Sequence, residues 1–251
     1  MKTRVILVGV GGATCSGKTT LAKHLKRIIP NSVIIHQDDF APPQELVPIH
    51  PKYGVQDWDW PDGAIDWKRM IASLKDVKRT GRIADDHYSH DHLNEQKDVP
   101  IPEEVRARWT QTFEELAERT CEKREEEQII WGLVDGFLLY WHPEVLEQLD
   151  IRFFLRVPER VLKQRRHERH GYHTAEGSLW RDPPNYWEQI VYPAYIEAHK
   201  HLFEGGDVEN GRVTREDVTI INALEESMGN IVDHCCQALV KYIDVESSKV
   251  Q

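Results

Sequence analysis

The chain has 251 residues, 40% of them hydrophobic and 29% charged, with a formal net charge of −10. That length suits one good-sized α/β domain, and those fractions allow a buried core. A net negative charge argues against non-specific nucleic-acid binding, which needs a basic face, so an anionic ligand must be held by local positive groups. Residues 3–10 predict a β-branched strand, too short for a signal peptide or membrane span, so no membrane partner is expected. A tight loop at 11–17 leads into a helix at 18–29, with Leu21, Leu25, Ile28 and Ile29 on one face and Pro30-Asn31 as its stop. A second strand, 32–36, runs into Gln37-Asp38-Asp39-Phe40 and a proline-rich loop, and residues 53–60 interleave aromatics with Asp57 and Asp59.

A helix is expected from Asp62 or Ile65 to Thr80, and the polar, irregular stretch 85–98 reads as a surface loop. Residues 102–126 form an amphipathic pattern through Val105, Trp109, Phe113 and Leu116. A third strand, 129–134, ends at Asp135-Gly136, and a fourth is expected at 150–157. Pro158 opens the next helix at its favoured first position. Residues 171–184 read as a loop and 185–203 as a helix bent at Pro193. The last strand and helix fall at 217–222 and 224–245, leaving 246–251 as a frayed tail. Strands alternating with helices define an α/β fold: one domain over 1–245, a parallel sheet with helices on both faces. Cys15, Cys121, Cys235 and Cys236 have neither metal-ligand nor disulfide spacing, and reduced thiols in a cytoplasmic protein, with or without a nuclear pool, are the expectation.

Gly12-Ala13-Thr14-Cys15-Ser16-Gly17-Lys18-Thr19 fits G-x-x-x-x-G-K-[ST], between a predicted strand and a predicted helix that continues with Thr20. Glycines let successive N–H groups turn inward as an anion nest at a helix N-terminus. Lys18 then reaches the β- and γ-phosphates of ATP, and the Thr19 hydroxyl holds Mg²⁺. A glycine turn without ligand is the plainer alternative, and the complete motif in this context argues against it. With no N-K-x-D sequence and no acidic pair after the third strand, a GTPase or motor reading is weak.

A small-molecule kinase needs carboxylates at strand ends to take a proton and sit near the metal. Asp38, Asp39 and Asp135 are so placed, although one of the first two should be a turn or cap residue and Asp135 is also a candidate turn residue. Asp57 and Asp59 suit paired recognition of ribose hydroxyls and Trp58 suits stacking on a base; a solvated acidic loop with tucked-in tryptophans fits the same residues. Arg165, Arg166, His167, Glu168, Arg169 and His170 read as an arginine lid, in preference to a basic helix end favoured only by the helix dipole. The His-rich stretch 85–92 has irregular spacing and reads as a solvated surface segment rather than a metal site.

The start Val10-Gly11-Gly12-Ala13-Thr14-Cys15-Ser16-Gly17-Lys18-Thr19 resembles the uridine-kinase-like branch of the P-loop kinases. The set His36-Gln37-Asp38-Asp39-Phe40, Gln56-Asp57-Trp58-Asp59, Val134-Asp135-Gly136-Phe137, Arg165-Arg166 with Arg169, Gly171-Tyr172 and Trp180-Arg181-Asp182-Pro183-Pro184 resembles nicotinamide riboside kinases, especially fungal ones. The resemblance spans residues 4–207. It implies a P-loop nucleoside-kinase fold with a nucleoside region at 38–62 and an arginine lid at 165–184. It implies ATP and a pyridine riboside as substrates, with Mg²⁺ held by Thr19, Asp38 and Asp135. Residues 12–20, with Arg166 and Arg169, would serve ATP. Asp38 would be the base for the ribose 5′-hydroxyl, with Lys18 and Arg166 as its catalytic partners. Trp58 would stack on the pyridine, Asp59 would hold ribose hydroxyls, and Tyr172 and Asp182 would close the pocket. Where some members carry Tyr, this chain has Trp58, and where some carry Glu, it has Asp135. Residues 82–128 exceed the shortest relatives and receive no role. The implied reaction makes nicotinamide mononucleotide for NAD synthesis in a monomer or weak homo-oligomer, with nicotinic acid riboside as a second substrate. A uridine/cytidine kinase is the nearest alternative, and an ATP-binding regulator without a small acceptor is the alternative of another class.

Overall fold

The computed structural model describes residues 2–94, 96–123, 127–169, 171–174 and 177–248. The first apolar run forms β1 (Lys2–Gly12), which lies at the centre of the sheet. On one side it pairs in parallel with β3 (Glu127–Gly136), and β2 (Ser32–His36) pairs beyond that. On the other side lie β4 (Ile151–Arg156) and β7 (Thr219–Asn222), so the order is β2-β3-β1-β4-β7, all parallel. A two-stranded antiparallel hairpin, β5 (Tyr172–His173) with β6 (Leu179–Trp180), stands apart from this sheet.

Central parallel strands are buried on both faces, and side chains alternate between them. Ile6, Val8 and Val10 enter one core with Leu21 and Leu25 of α1 (Lys18–Ile28), Phe113 of α4 (Glu103–Lys123), and Val232 and Leu239 of α8 (Met228–Ser248). Leu7 enters the other. There it joins Met70 and Leu74 of α3 (Trp67–Thr80), Leu146 of α5 (Pro143–Gln148), Leu162 of α6 (Glu159–Glu168) and Ala198 of α7 (Tyr192–His199). Two packed faces leave the carboxyl ends of the strands open, and ligands of such sheets bind in the crevice there.

Several elements differ from the expected ones for local reasons. The single helix expected before Thr80 is broken into α2 (Pro61–Ala64) and α3, because Asp66 caps α3 by accepting the Arg69 N–H at 3.0 Å. Pro158 is the N-cap of α6 rather than its first helical residue. The loop expected at 171–184 contains the β5–β6 hairpin. At Pro193, the missing N–H is accommodated by a π-helical turn, Trp187–Val191, after which Tyr192 N–H bonds the Trp187 carbonyl. Helix α8 runs to Ser248, so 246–248 are helical rather than frayed, and 249–251 lie outside the described residues. Among the described residues no helix is long and apolar enough to cross a membrane.

Candidate active site

The phosphate loop leaves β1 at Gly12 and enters α1 at Lys18. Gly12 has φ +134°, and a Cβ there would meet the Leu155 carbonyl at 2.4 Å, so only glycine fits. Gly17 caps α1 in the left-handed region, at φ 99°. Lys18 is buried and donates from Nζ to the Ala13 carbonyl at 2.7 Å, while the Ser16 hydroxyl is buried with no partner. Burial lowers the Lys18 pKa, partly opposed by the charges of Asp135 and Asp38. An anion arriving at the loop gives both groups a partner.

Parallel register sets His36, the last residue of β2, beside Asp135 of β3. The His36 Nδ1 and Asp135 Oδ1 atoms lie 2.8 Å apart. Burial pulls the imidazole pKa down, but the Asp135 hydrogen bond and charge, with Asp91 and Asp39, push it up to about 9. Burial likewise works to raise Asp135, and His36, the Thr19 hydroxyl and Lys18 outweigh it, so that carboxyl is held below its ordinary value. Asp38, one turn past β2, moves the other way. Its side chain is reached by solvent through the mouth of the cavity, yet the surrounding walls remove much of its hydration, and Asp135 repels its charge. Its pKa is raised, against the pull of Lys18 and His36. Of the adjacent pair, Asp39 is the structural one: it is buried and accepts the His90 N–H at 2.9 Å.

Asp38, Thr19, Trp58, Asp59, Arg166, Arg169 and Tyr172 line one cavity with Thr14, so chain segments far apart in sequence meet there. Asp57 does not line the cavity with Asp59: its Oδ1 accepts the backbone N–H groups of Asp59, at 3.1 Å, and Trp60, at 2.8 Å, and so shapes the turn. Asp59 is the free member, buried with Oδ2 unpartnered. Burial raises its pKa to about 6, tempered by Arg166, whose Nη1 lies 3.9 Å from Oδ1. Trp58 rests at 5.8 Å between ring centroids on Trp180 of the hairpin, and its backbone N–H donates to the Tyr186 hydroxyl at 3.0 Å. Trp180 and Tyr186 had no assigned role because nothing in their spacing marks them.

The segment expected to form the lid is well anchored. Arg166 is buried and grips Asp182 with both Nε, at 2.7 Å, and Nη2, at 2.9 Å, and Nη1 reaches the Thr14 hydroxyl at 3.2 Å. Arg166 and Arg169 lie over the Tyr172 ring at 4.4 and 4.3 Å. The Tyr172 hydroxyl meets Thr14 Oγ1 at 3.2 Å and Cys15 Sγ at 3.3 Å. Arg165, not singled out for ATP in the sequence, donates to the Cys15 carbonyl at 3.1 Å. Asp182 itself stands behind the cavity wall and acts on it through Arg166 and Trp180, whose indole N–H it accepts at 3.0 Å. Of the predicted lid, His170, Ala175 and Glu176 lie outside the described residues.

The His-rich stretch is in part the solvated segment expected of it, with Asp85, Asp86, Tyr88 and His92 exposed, while His87, Ser89, His90 and Asp91 are half-buried. His90, Asp91, Asn94 and Gln96 line the same cavity, and His87 is packed on Phe40 at 5.2 Å. Among the described residues no three His, Cys, Asp or Glu side chains are grouped to hold a metal by themselves. The oxygen donors Thr19, Asp38 and Asp135 do suit Mg²⁺, which typically takes one or two carboxylates and completes its shell with water and substrate phosphates. Asp135 Oδ2, buried without a partner, is the observation that fits this ion.

A parallel sheet with a phosphate loop at the centre, facing carboxylates and an arginine-bearing lid, defines a P-loop phosphotransferase acting on a hydroxyl acceptor. A scan against models of known protein families finds no match. The chain is 32% identical over 250 residues to the nicotinamide riboside kinase of Saccharomyces cerevisiae, covering 95% of this chain and 97% of that one. It is 33% identical to that of Eremothecium gossypii, covering 93% and 92%, and 33% identical to that of Schizosaccharomyces pombe, covering 83% and 85%. The chain belongs to the nicotinamide riboside kinase family.

Proposed function

We propose that the protein transfers the γ-phosphoryl group of ATP to the 5′-hydroxyl of nicotinamide riboside, giving nicotinamide mononucleotide and ADP for NAD synthesis. Nicotinic acid riboside is a second acceptor on this reading. The supporting observation is one cavity that joins the phosphate loop to Asp38 and then to Asp59 and Trp58. Asp59 Oδ2, buried and unpartnered, suits a ribose hydroxyl donor, and the Trp58 indole suits a cationic pyridine ring.

In this mechanism Asp38 accepts the 5′-hydroxyl proton as the oxygen attacks phosphorus in line, a role helped by its raised pKa. Asp135, held ionised beside His36, stays a fixed negative charge. Environments that push two carboxyls apart in this way divide the work between base and metal ligand. Mg²⁺, held by Thr19 and Asp135, would neutralise charge on the β- and γ-phosphate oxygens. Lys18 leaves the Ala13 carbonyl for the transferring phosphoryl group, and Arg166 and Arg169 balance charge spread on its oxygens. The lid and hairpin keep water from the attacking position. The catalytic unit is taken as residues 1–245, with a nucleoside region at 38–62 and a lid at 165–184.

ADP release measured across a panel of ribosides tests this. The expected result is the highest kcat/KM with nicotinamide riboside. Preference for uridine or cytidine would move the protein to the pyrimidine nucleoside kinases, and ADP release indifferent to any acceptor would remove the kinase reading.

A further inference from the structure

Residues 87–94, with Gln96, form a strap across the cavity, and contacts of His90 and Asp91 fix it to the scaffold. Asp39, the buried neighbour of Asp38, accepts the His90 N–H at 2.9 Å. Lys23 on α1 pairs with Asp91 at 2.6 Å, and the same carboxylate lies 3.9 Å from His36 Nε2. Gln96 donates to Asp91 Oδ1 at 3.0 Å and braces the strap on itself. Beyond it, His24 on α1 donates to the Val99 carbonyl at 2.8 Å. The contacts with Asp39, Lys23 and His36 lie on the side of the fixed scaffold.

Among the described residues the opposite edge has one direct hydrogen bond to the hairpin: Asn94 Oδ1 accepts the backbone N–H of His173 at 3.0 Å. His173 follows Tyr172, whose hydroxyl sits on Thr14 and Cys15 of the phosphate loop and whose ring carries Arg166 and Arg169. His173 pairs with Leu179, next to the Trp180 that supports Trp58. One hydrogen bond, from the His173 backbone to the Asn94 side chain, therefore joins the scaffold that carries Asp38 to the element that touches both the ATP loop and the acceptor's aromatic wall.

We propose that this strap is a working wall of the acceptor site and that Asn94, by latching it to the lid hairpin, is a positioning residue for phosphoryl transfer to the riboside. The proposal rests on the kinase reading above and adds to it a segment with no role in that reading. A latched strap orders the acceptor hydroxyl against Asp38 and keeps water out of the same place. Loss of the latch has two signatures. The acceptor binds less well, and ATP is hydrolysed without an acceptor more often.

The test uses the full chain with Asn94→Ala and Asn94→Asp. A single lost hydrogen bond is worth a factor of roughly 3–10. Asn94→Ala should raise KM for the riboside by about that factor, leave KM for ATP within about twofold, and increase riboside-independent ADP release relative to coupled turnover. Asn94→Asp keeps an oxygen acceptor for the His173 N–H and should restore both quantities most of the way. A merely structural role would lower the amount of active enzyme without changing the ratio of uncoupled to coupled ADP release. An active wild type with an Asn94→Ala variant unchanged in KM and in that ratio would overturn the latch alone. A wild type that phosphorylates no riboside would overturn the kinase reading and the latch with it.

Discussion

Asp38, two residues past the end of β2, and Asp135, near the end of the neighbouring β3, have surroundings that push their acidities in opposite directions. Asp38→Asn keeps shape but cannot take a proton, so kcat should fall by about 10²–10⁴-fold with riboside KM little changed. Asp135→Asn should instead raise the Mg²⁺ concentration needed for half-maximal rate, and added Mg²⁺ should recover part of the activity. Steady-state rates over a Mg²⁺ series separate the two, and an exchange of the phenotypes would exchange the roles. Asp59 adds a pH signature. Its pKa, raised to about 6, leaves it a carboxylate at neutral pH and protonates it as pH falls through about 6. Protonation removes an acceptor for ribose hydroxyls, so riboside KM should rise on the acid side of about 6 while KM for ATP stays flat. If Asp38 is the base, the acid limb of kcat should follow it, the rate falling as pH drops through its raised pKa and the carboxylate is protonated. Asp59→Asn should abolish the acid rise in KM and leave the kcat limb in place.

Helix α6 and the β5–β6 hairpin act as one element because Arg166 binds Asp182, Thr14 and the Tyr172 ring together. Arg166→Lys keeps the charge but loses the two-pronged grip, and should lower kcat by about 10-fold or more with a smaller change in ATP KM. Arg166→Ala also leaves Asp59 and Asp182 without their counter-charge, so its melting temperature should drop as well. A kinetic change confined to ATP affinity in the lysine variant would make this arginine an anchor for nucleotide only. These elements also show what was legible in the sequence. The phosphate loop and the strands around it were readable because motif and apolar runs coincide at residues 3–19. Helix α5 spans six residues and the strands of the hairpin two each, too short for periodicity to register. Asp57 and Asp59 look alike in sequence, and only the turn geometry separates the shaping carboxylate from the free one. Composition reads the stretch 85–92 as solvated, which holds for Asp85, Asp86, Tyr88 and His92, but cannot show that His90 and Asp91 turn inward to Asp39 and Lys23.

At the scale of the whole molecule, two separate forces favour a cationic acceptor. The first is contact: a cation against an indole face gains roughly 0.5–2 kcal/mol, and Trp58 offers that face beside Asp59. The second is the field of a chain with formal net charge −10, which draws cations toward an acidic cleft and is screened by salt. ATP is anionic and must overcome that field through local cations, among them Lys18, Arg166 and Arg169. Nicotinamide riboside carries a positive ring, nicotinic acid riboside is a zwitterion with no net charge, and uridine is neutral, so the three acceptors separate the forces. At saturating MgATP, kcat/KM for nicotinamide riboside should fall by about 2–5-fold between roughly 0.02 and 0.3 M salt, while the values for the two uncharged acceptors move much less. Trp58→Ala should lower kcat/KM for nicotinamide riboside more than for uridine, by roughly 3–30-fold, and leave the salt slope intact. The contact and the field then appear as independent factors in one set of steady-state measurements. Equal salt slopes for all three acceptors would remove the field from selectivity. Equal losses for both nucleosides in Trp58→Ala would make the indole a pocket wall and place the discrimination in the carboxylates.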